Sequence, residues 1–372
     1  MANCDDVAVS DLDVSAFTVP TSSPEADGTI AWNHTTIVIV RAAAGGIRSL
    51  GYTYADVATA SLIEHTLAAR VLHKSALDIP AAWIDMVRAI RNLGRPGICS
   101  MAISAVDNAL WDLKARLLHL PLVRLIGQVR ESIPVYGSGG FTSYSDDELH
   151  CQLSIWDSSG IRAVKMKIGS HPEADLDRVK VARDAISPDT DLYVDANGAY
   201  ARKQALEKAQ AFRDLGVSWF EEPVSSDDLE GLRLLRDRAP AGMEIAAGEY
   251  GYDAVYFRRM LEAGAVDILQ ADATRCAGST GFLEADALCR GFNMPLSAHT
   301  APSIHAHLCC SALAARNVEY FHDHVRIEQM FFDGAAHAEN GALRPDLSRP
   351  GFGLELKAAD VEKYRVYGHS DS

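Results

Sequence analysis

Residues 162–169 read RAVKMKIG, and Val164, Met166 and Ile168 alternate with Lys165 and Lys167, the period-two pattern of a β-strand. Glycines bracket the run, Gly160 before it and Gly169 at its end. A surface strand sends such lysines to solvent. A strand inside a barrel instead sets them side by side in the interior, where buried charge needs partners.

The surroundings decide between the two. From residue 132 onward short apolar runs recur: SIPVYGS, AVKMKIG, DLYVDAN, VSWFEEP, MEIAAGE, VDILQAD, MPLSAHT and NVEYF. Helical patterns such as ADLDRVKVARDAI and LEGLRLLRDR lie between them. Eight strand candidates alternating with helices predict an α/β fold, a parallel (β/α)8-type (modified TIM) barrel. Seven of the runs end at or near an ionisable residue: Lys167, Asp195, Glu221, Glu249, Asp272, His299 and Glu319, at intervals of 20 to 28 residues. That interval is one strand–helix unit. Active sites of such barrels form at the C-terminal strand ends, so one mouth gathers all seven.

The N-terminal part reads differently. Residues 7–20 and 36–54 are strand-like and are joined by the polar segment TSSPEADGTIAWNH; three helical stretches follow, ending in MAISAVDNALWDLKARLLHL. Strands followed by helices predict an α+β capping domain over residues 1–130. The loop-rich tail, 331–372, is expected to complete it, leaving 131–330 as the barrel.

Composition narrows the partners. A formal net charge of −15 over 372 residues argues against nucleic acid and anionic membrane. The acidic start MANCDDVAVSDLD has no basic region followed by an apolar one, and no apolar run approaches the roughly 20 residues of a membrane span. Seven cysteines, an odd number without a C-x-x-C, fit reduced and mostly buried thiols. A cytoplasmic location, a small-molecule carboxylate partner and a homo-oligomer are the corresponding expectations.

The strand-end residues carry the chemistry. Asp195, Glu221 and Glu249 bring three carboxylates from successive strands, and all-oxygen ligation points to one Mg²⁺ per active site. Lys165 and Lys167 point the same way, about 7 Å apart along the strand. At an effective dielectric near 20 they repel by roughly 2 kcal/mol, which predicts a lysine lowered toward the range of a base. Asp272 and His299 on adjacent strands predict a carboxylate-oriented acid/base. Glu319, if protonated, can donate to a developing oxyanion. The histidines of FHDH (residues 321–324), with His305 and His307, read as parts of helices or loops rather than as metal sites.

With these motifs assembled, the chain resembles the enolase superfamily, specifically its mandelate racemase group: K-x-K at Lys165/Lys167, D-A-N at Asp195–Asn197, E-E-P at Glu221–Pro223, G-E at Gly248–Glu249 and the Asp272/His299 pair. The resemblance implies abstraction of the proton α to a substrate carboxylate. Lys167 and His299 then stand on opposite faces of the substrate, Lys165 binds its carboxylate, Mg²⁺ bridges its oxygens and Asn197 contacts it. It implies too that the first loop of the cap closes over the distal end of the substrate. Candidate contacts there are Trp32 and His34, with Tyr52 and Tyr54 from the second loop. The first loop offers Glu25, Asp27, Asn33 and His34 with only Trp32 large and apolar, and with the phenols of Tyr52 and Tyr54 this polarity favours dehydration of an acid sugar to a 2-keto-3-deoxy acid. Racemisation or epimerisation of a 2-hydroxy acid by the same two bases is the alternative, and a silent Mg²⁺-dependent sugar-acid binding protein a more distant one.

Overall fold

In the computed structural model, which describes residues 7–369, the run bearing Lys165 and Lys167 is buried along its whole length. The reason is a barrel. Eight strands, β5 (Ile133–Gly139), β6 (Ala163–Lys167), β7 (Asp191–Asp195), β8 (Val217–Glu221), β9 (Glu244–Ala247), β10 (Ile268–Ala271), β11 (Leu296–Ala298) and β12 (Ala315–Phe321), follow four strands of the cap. Each pairs in parallel with the next, and β12 closes on β5 through Val318 and Val135. Along β6, Val164 and Met166 join the apolar layer under the surrounding helices. Ala163 instead packs at the barrel axis with Tyr136, Tyr193 and Trp219. Side chains two residues apart share a face, so Lys165 and Lys167 point to that axis too. The rings of Tyr193 and Trp219 stack 4.9 Å apart beneath them and fill the floor.

The cap sheet is built on a long antiparallel pair, β1 (Asp11–Ala26) and β2 (Ala31–Ala44), with β3 (Ile47–Arg48) and β4 (Gly51–Tyr54) both along β2. The helix Ile98–Leu117 buries its apolar face against this sheet. The polar segment expected to be a loop is instead mostly hairpin. Glu25 pairs with Trp32 and Ala26 with Ala31, which leaves a turn at 27–30. Asp27 makes that turn: its Oδ1 accepts from the backbone N–H of Thr29 at 2.6 Å and of Ile30 at 2.8 Å. The turn seats on the barrel mouth at Gly28, where a Cβ would lie 2.4 Å from the Ala196 carbonyl oxygen. Thr142, after β5, fastens it by donating to the carbonyls of Ala26 and Asp27, each at 2.8 Å.

Beyond the barrel the tail divides its contacts. β13 (Phe332–Asp333) pairs with β15 (Glu355–Leu356), and β14 (Ala342–Leu343) runs antiparallel to β5. β16 (Arg365–Tyr367) returns to the cap as the outer neighbour of β1. Arg365 donates to Ser15 at 2.8 Å and lies over the Phe17 ring. Cys4 and the first acidic residues lie outside the described residues. Among those described, Cys99, Cys276, Cys289, Cys309 and Cys310 are buried, Cys151 is exposed, and none is in a disulfide. No described helix is long and apolar enough to cross a membrane.

Candidate active site

Parallel register lays the carboxylates side by side: Lys167 pairs with Asp195, and Asp195 with Glu221, across β6, β7 and β8. Glu249 follows β9 through Gly248, whose φ of 135° and close approach to the Gln270 carbonyl suit glycine alone. One oxygen each of Asp195, Glu221 and Glu249 comes within 4.8 Å of the others, and all three side chains are buried. At that separation each pair of charges repels by roughly 3 kcal/mol at an effective dielectric of 20. The donor set is all carboxylate oxygen, compact and dry, without thiolate or imidazole. That set fits a hard divalent cation of the Mg²⁺ type.

The lysines meet this charge directly. Lys165 bonds Glu221 and lies 3.3 Å from Asp195 and 2.9 Å from Glu319, and Lys167 bonds Asp195. The expected depressed lysine is therefore corrected. Burial and mutual repulsion push Lys167 down, but Asp195, Glu249 and Glu319 outweigh them and raise it above its ordinary value. Lys165 is raised as well: burial opposes its charge, and Glu221 and Glu319 more than compensate. Glu319 is corrected in turn. Burial favours its neutral form, yet Lys165, His299 and Lys167 hold it at about 2, so it is an ionised acceptor. Ser138 donates to it at 2.5 Å.

On the facing wall His299 Nδ1 lies 2.9 Å from Asp272 Oδ2, while its Nε2 is 3.2 Å from Glu249 and 3.5 Å from Glu319. Asp272 is fixed by Thr274, whose backbone N–H and hydroxyl donate at 2.6 and 2.7 Å. Burial disfavours the imidazolium, but Glu249, Glu319 and the Asp272 bond raise His299 to about 9. Asp272 is held far below the ordinary carboxylate range, because its bond to His299 and the imidazolium charge exceed the effect of burial.

Lys167 and His299 open onto one cavity of about 400 Å³, roofed by the cap. Of the proposed substrate contacts, Trp32, His34, Tyr54 and Asn197 line it. Trp32 is held by a 2.8 Å bond to Glu25, and His34 by a 2.7 Å bond to Asn33. Tyr52 does not line it, and its assignment is corrected. It is fully buried, and its hydroxyl donates to Glu328 at 2.6 Å beneath the Tyr54 ring. Several lining residues escaped the sequence reading, Arg275 and His324 foremost. Arg275 bonds Glu249 at 3.2 Å from the loop after β10, and its place three residues past a strand-end aspartate was the available signal. His324 stacks on Tyr54 with ring centroids 3.4 Å apart, and burial lowers it to about 3, so the ring is neutral. FHDH had marked it, but only as a metal candidate to set aside. His322 and His324 begin the helix His322–Phe331, and His305 and His307 are buried in the helix Pro302–Cys309.

A closed parallel barrel, a cap over its mouth and a carboxylate triad between Lys167 and His299 define an enolase-type barrel protein. The "Enolase C-terminal domain-like" family matches residues 150–361, and the "Mandelate racemase / muconate lactonizing enzyme, N-terminal domain" family matches residues 13–127. The chain belongs to the mandelate racemase/muconate lactonizing enzyme family. It is 32% identical to a 3,6-anhydro-alpha-L-galactonate cycloisomerase of Streptomyces coelicolor, over 84% of this chain and 86% of that protein. It is 30% identical to an arabinonate dehydratase of Saccharolobus solfataricus, over 85% and 86%. A mandelate racemase/muconate lactonizing enzyme-like protein from Rubrobacter xylanophilus superposes with a TM-score of 0.95 at 54% identity, covering 96% of this chain and all of that one. An L-talarate/galactarate dehydratase from Salmonella typhimurium, liganded with Mg and L-lyxarohydroxamate, superposes at 0.89 with 25% identity, covering 99% and 95%.

Proposed function

We propose that this chain is a Mg²⁺-dependent acid-sugar dehydratase that removes the proton α to the substrate carboxylate and expels the β-hydroxyl, giving a 2-keto-3-deoxy acid. The observation that carries this reading is the placing of Lys167 and the Asp272-held His299 on facing walls of one cavity, with the carboxylate triad between them. The dehydratases among its relatives support it. Asp195, Glu221 and Glu249 would hold the Mg²⁺, which would supply the positive charge that makes the α-proton of a bound carboxylate acidic.

Lys165 binds the substrate carboxylate. Lys167 enters turnover as the neutral amine, having released its proton to solvent water, a loss the neighbouring Lys165 ammonium favours. The neutral amine then accepts the α-proton, and the C–H electron pair moves into the substrate. Protonated His299 gives its proton to the β-hydroxyl, which leaves as water, and the enol left behind rearranges to the 2-keto acid. Glu319, ionised, holds Lys165 in place and supports the charge on His299. Asn197, Trp32, His34 and Tyr54 contact the hydroxylated part. The same two bases permit racemisation or epimerisation, so the product decides between the readings. A purely binding role is disfavoured by the full acid/base set. We further propose a cytoplasmic homo-oligomer acting in carbohydrate catabolism without nucleic-acid or membrane partners, in which residues 1–130 and 331–372 cap the barrel of 131–330.

The test is incubation of the Mg²⁺-loaded chain with a panel of acid sugars in D₂O. NMR reads α-proton exchange and a carbonyl assay reads 2-keto-3-deoxy products. Exchange with product supports dehydration. Rapid interconversion of mandelate enantiomers without dehydration of any acid sugar decides for racemisation, and absence of exchange throughout overturns both.

A further inference from the structure

The Asp272–His299 pair leans on a loop that the cap holds. Thr274, two residues past Asp272, fixes that aspartate by donating to its Oδ1 through both N–H and hydroxyl. The loop continues to Ala277 and enters the helix Gly278–Gly291. Its first two carbonyls are taken by the cap. Asn108 Nδ2, on the helix Ile98–Leu117, donates to the Ala273 carbonyl at 3.0 Å, and the Thr53 hydroxyl, on β4, donates to that of Thr274 at 2.6 Å. The far end is taken as well. Ser104 Oγ accepts the Gly278 N–H at 3.0 Å, Asn108 Oδ1 that of Ser279 at 2.9 Å, and Asp107 Oδ2 that of Thr280 at 2.9 Å. Asn108 thus bonds both ends of the loop, and Asn108 and Thr53 are wholly buried. In so dry a place a carbonyl that loses its donor finds no water to replace it, so the loop must shift to satisfy it.

The barrel's own share of this loop start is His305 Nε2, which accepts the Ala273 N–H at 3.0 Å. Lys167 is framed differently. Its N–H donates to the Gly140 carbonyl at 3.0 Å, that of Ile168 to the Asp195 carbonyl at 2.9 Å and that of Gly169 to Asp175 at 3.2 Å, all within the barrel. Backbone bonds of the barrel therefore frame one base, whereas the orientation of the other passes through the cap. We infer that Asn108 and Thr53 are positioning residues for His299. Neither lines the cavity; they act through Ala273 and Thr274 on Asp272, so the seating of the cap sets the acid/base geometry on one wall and not on the other. The inference rests on the proposed two-base dehydratase reading and adds to it two residues outside the cavity.

Thr53→Val, which keeps the shape of the side chain and deletes one bond, and Asn108→Ala test it in the full Mg²⁺-loaded chain. Ser104→Ala, whose bond lies at the helix end of the loop, is the comparison. Product formation in D₂O reads the step that His299 serves as acid, and the α-proton exchange that survives in His299→Asn reads Lys167. T53V and N108A are each expected to lower kcat and kcat/KM for product together by about 10–100-fold, the effect of a misplaced catalytic group, with KM and the exchange at Lys167 unchanged. S104A is expected to keep both rates. Equal loss of the two steps in T53V or N108A, in a variant that melts as the parent does, marks a merely structural role and overturns the inference, as does an equal loss of product formation in S104A. An unmoved product rate in T53V overturns it too, and T53V decides alone should N108A not fold. Normal dehydration by H299N overturns the two-base reading itself.

Discussion

His299 Nδ1 sits 2.9 Å from Asp272 Oδ2, and this bond orients the imidazole so that Nε2 faces the carboxylates across the barrel mouth. The other base, Lys167, stands on β6, three strands from β11 by the shorter way round. His299→Asn and Lys167→Ala are therefore each expected to lower turnover by about 10²–10⁴-fold, the contribution of a general acid or base. Each variant keeps exchange of the α-proton on the face of the surviving base. Steady-state kinetics and NMR exchange with substrates of both α-configurations check this, and near-normal rates in both variants overturn the two-base assignment.

Removing a carboxylate from the triad bears on metal before it bears on chemistry. Asp195→Asn takes away the ligand that also bonds Lys167. Titration calorimetry is expected to show one Mg²⁺ per chain in the parent and at least tenfold weaker binding in the variant. Mg²⁺ is expected to raise the melting temperature of the parent, as a ligand of the folded state does, and that of the variant less. Full turnover after exhaustive chelation, with the metal content verified as nil, decides against a metal role.

Tyr52 and Tyr54 separate structure from recognition. Tyr52→Phe loses a buried bond to Glu328, which still accepts from the Ser303 N–H and hydroxyl, so the expected cost is about 1 kcal/mol with KM unchanged. Tyr54→Phe, at the cavity wall, is expected to move KM. Thermal melts and kinetics on the two variants check the division, and a KM change confined to Y52F contradicts it.

Glu25 gives the hairpin a pH dependence. Burial first and Asp323 second raise its carboxyl from 4.5 to about 8, against the Trp32 bond and Arg326. Below pH 4.5 both the folded and unfolded chains hold this proton. Between 4.5 and 8 only the unfolded chain releases it, so this group lowers stability as pH rises through that window. Glu25→Gln, neutral throughout, is expected to match the parent near pH 4.5 and exceed it by on the order of 4 kcal/mol at pH 8. Melts across that range check it, and parallel pH profiles refute it.

The barrel and its ring of strand-end residues were legible because geometry repeats them. Each strand–helix unit returns the chain to the same rim, so Asp195, Glu221, Glu249, Asp272 and His299 could be placed by interval alone. The cap was less legible. Spacing sets Tyr52 and Tyr54 on one face of β4, but not their depth, and depth puts Tyr52 under Glu328 and Tyr54 at the cavity. The hairpin followed from the side chain of Asp27 and a seat for Gly28 on a carbonyl far along the chain. The lysine pair was misjudged by counting its neighbouring ammonium group without the three carboxylates that bond it.

The strand that finishes the cap is made after the barrel. Ribosomal synthesis delivers β1 before the barrel and β16 after it, so the outer edge of β1 stays unpaired while the barrel is made. During that interval the nascent cap presents a sticky border to any other extended segment, and the roof of the mouth lacks its full anchorage. Arg365 over Phe17 then acts as the closing stitch. Chain order thereby leaves the outer border of the roof to be sealed only after the barrel beneath it has been made.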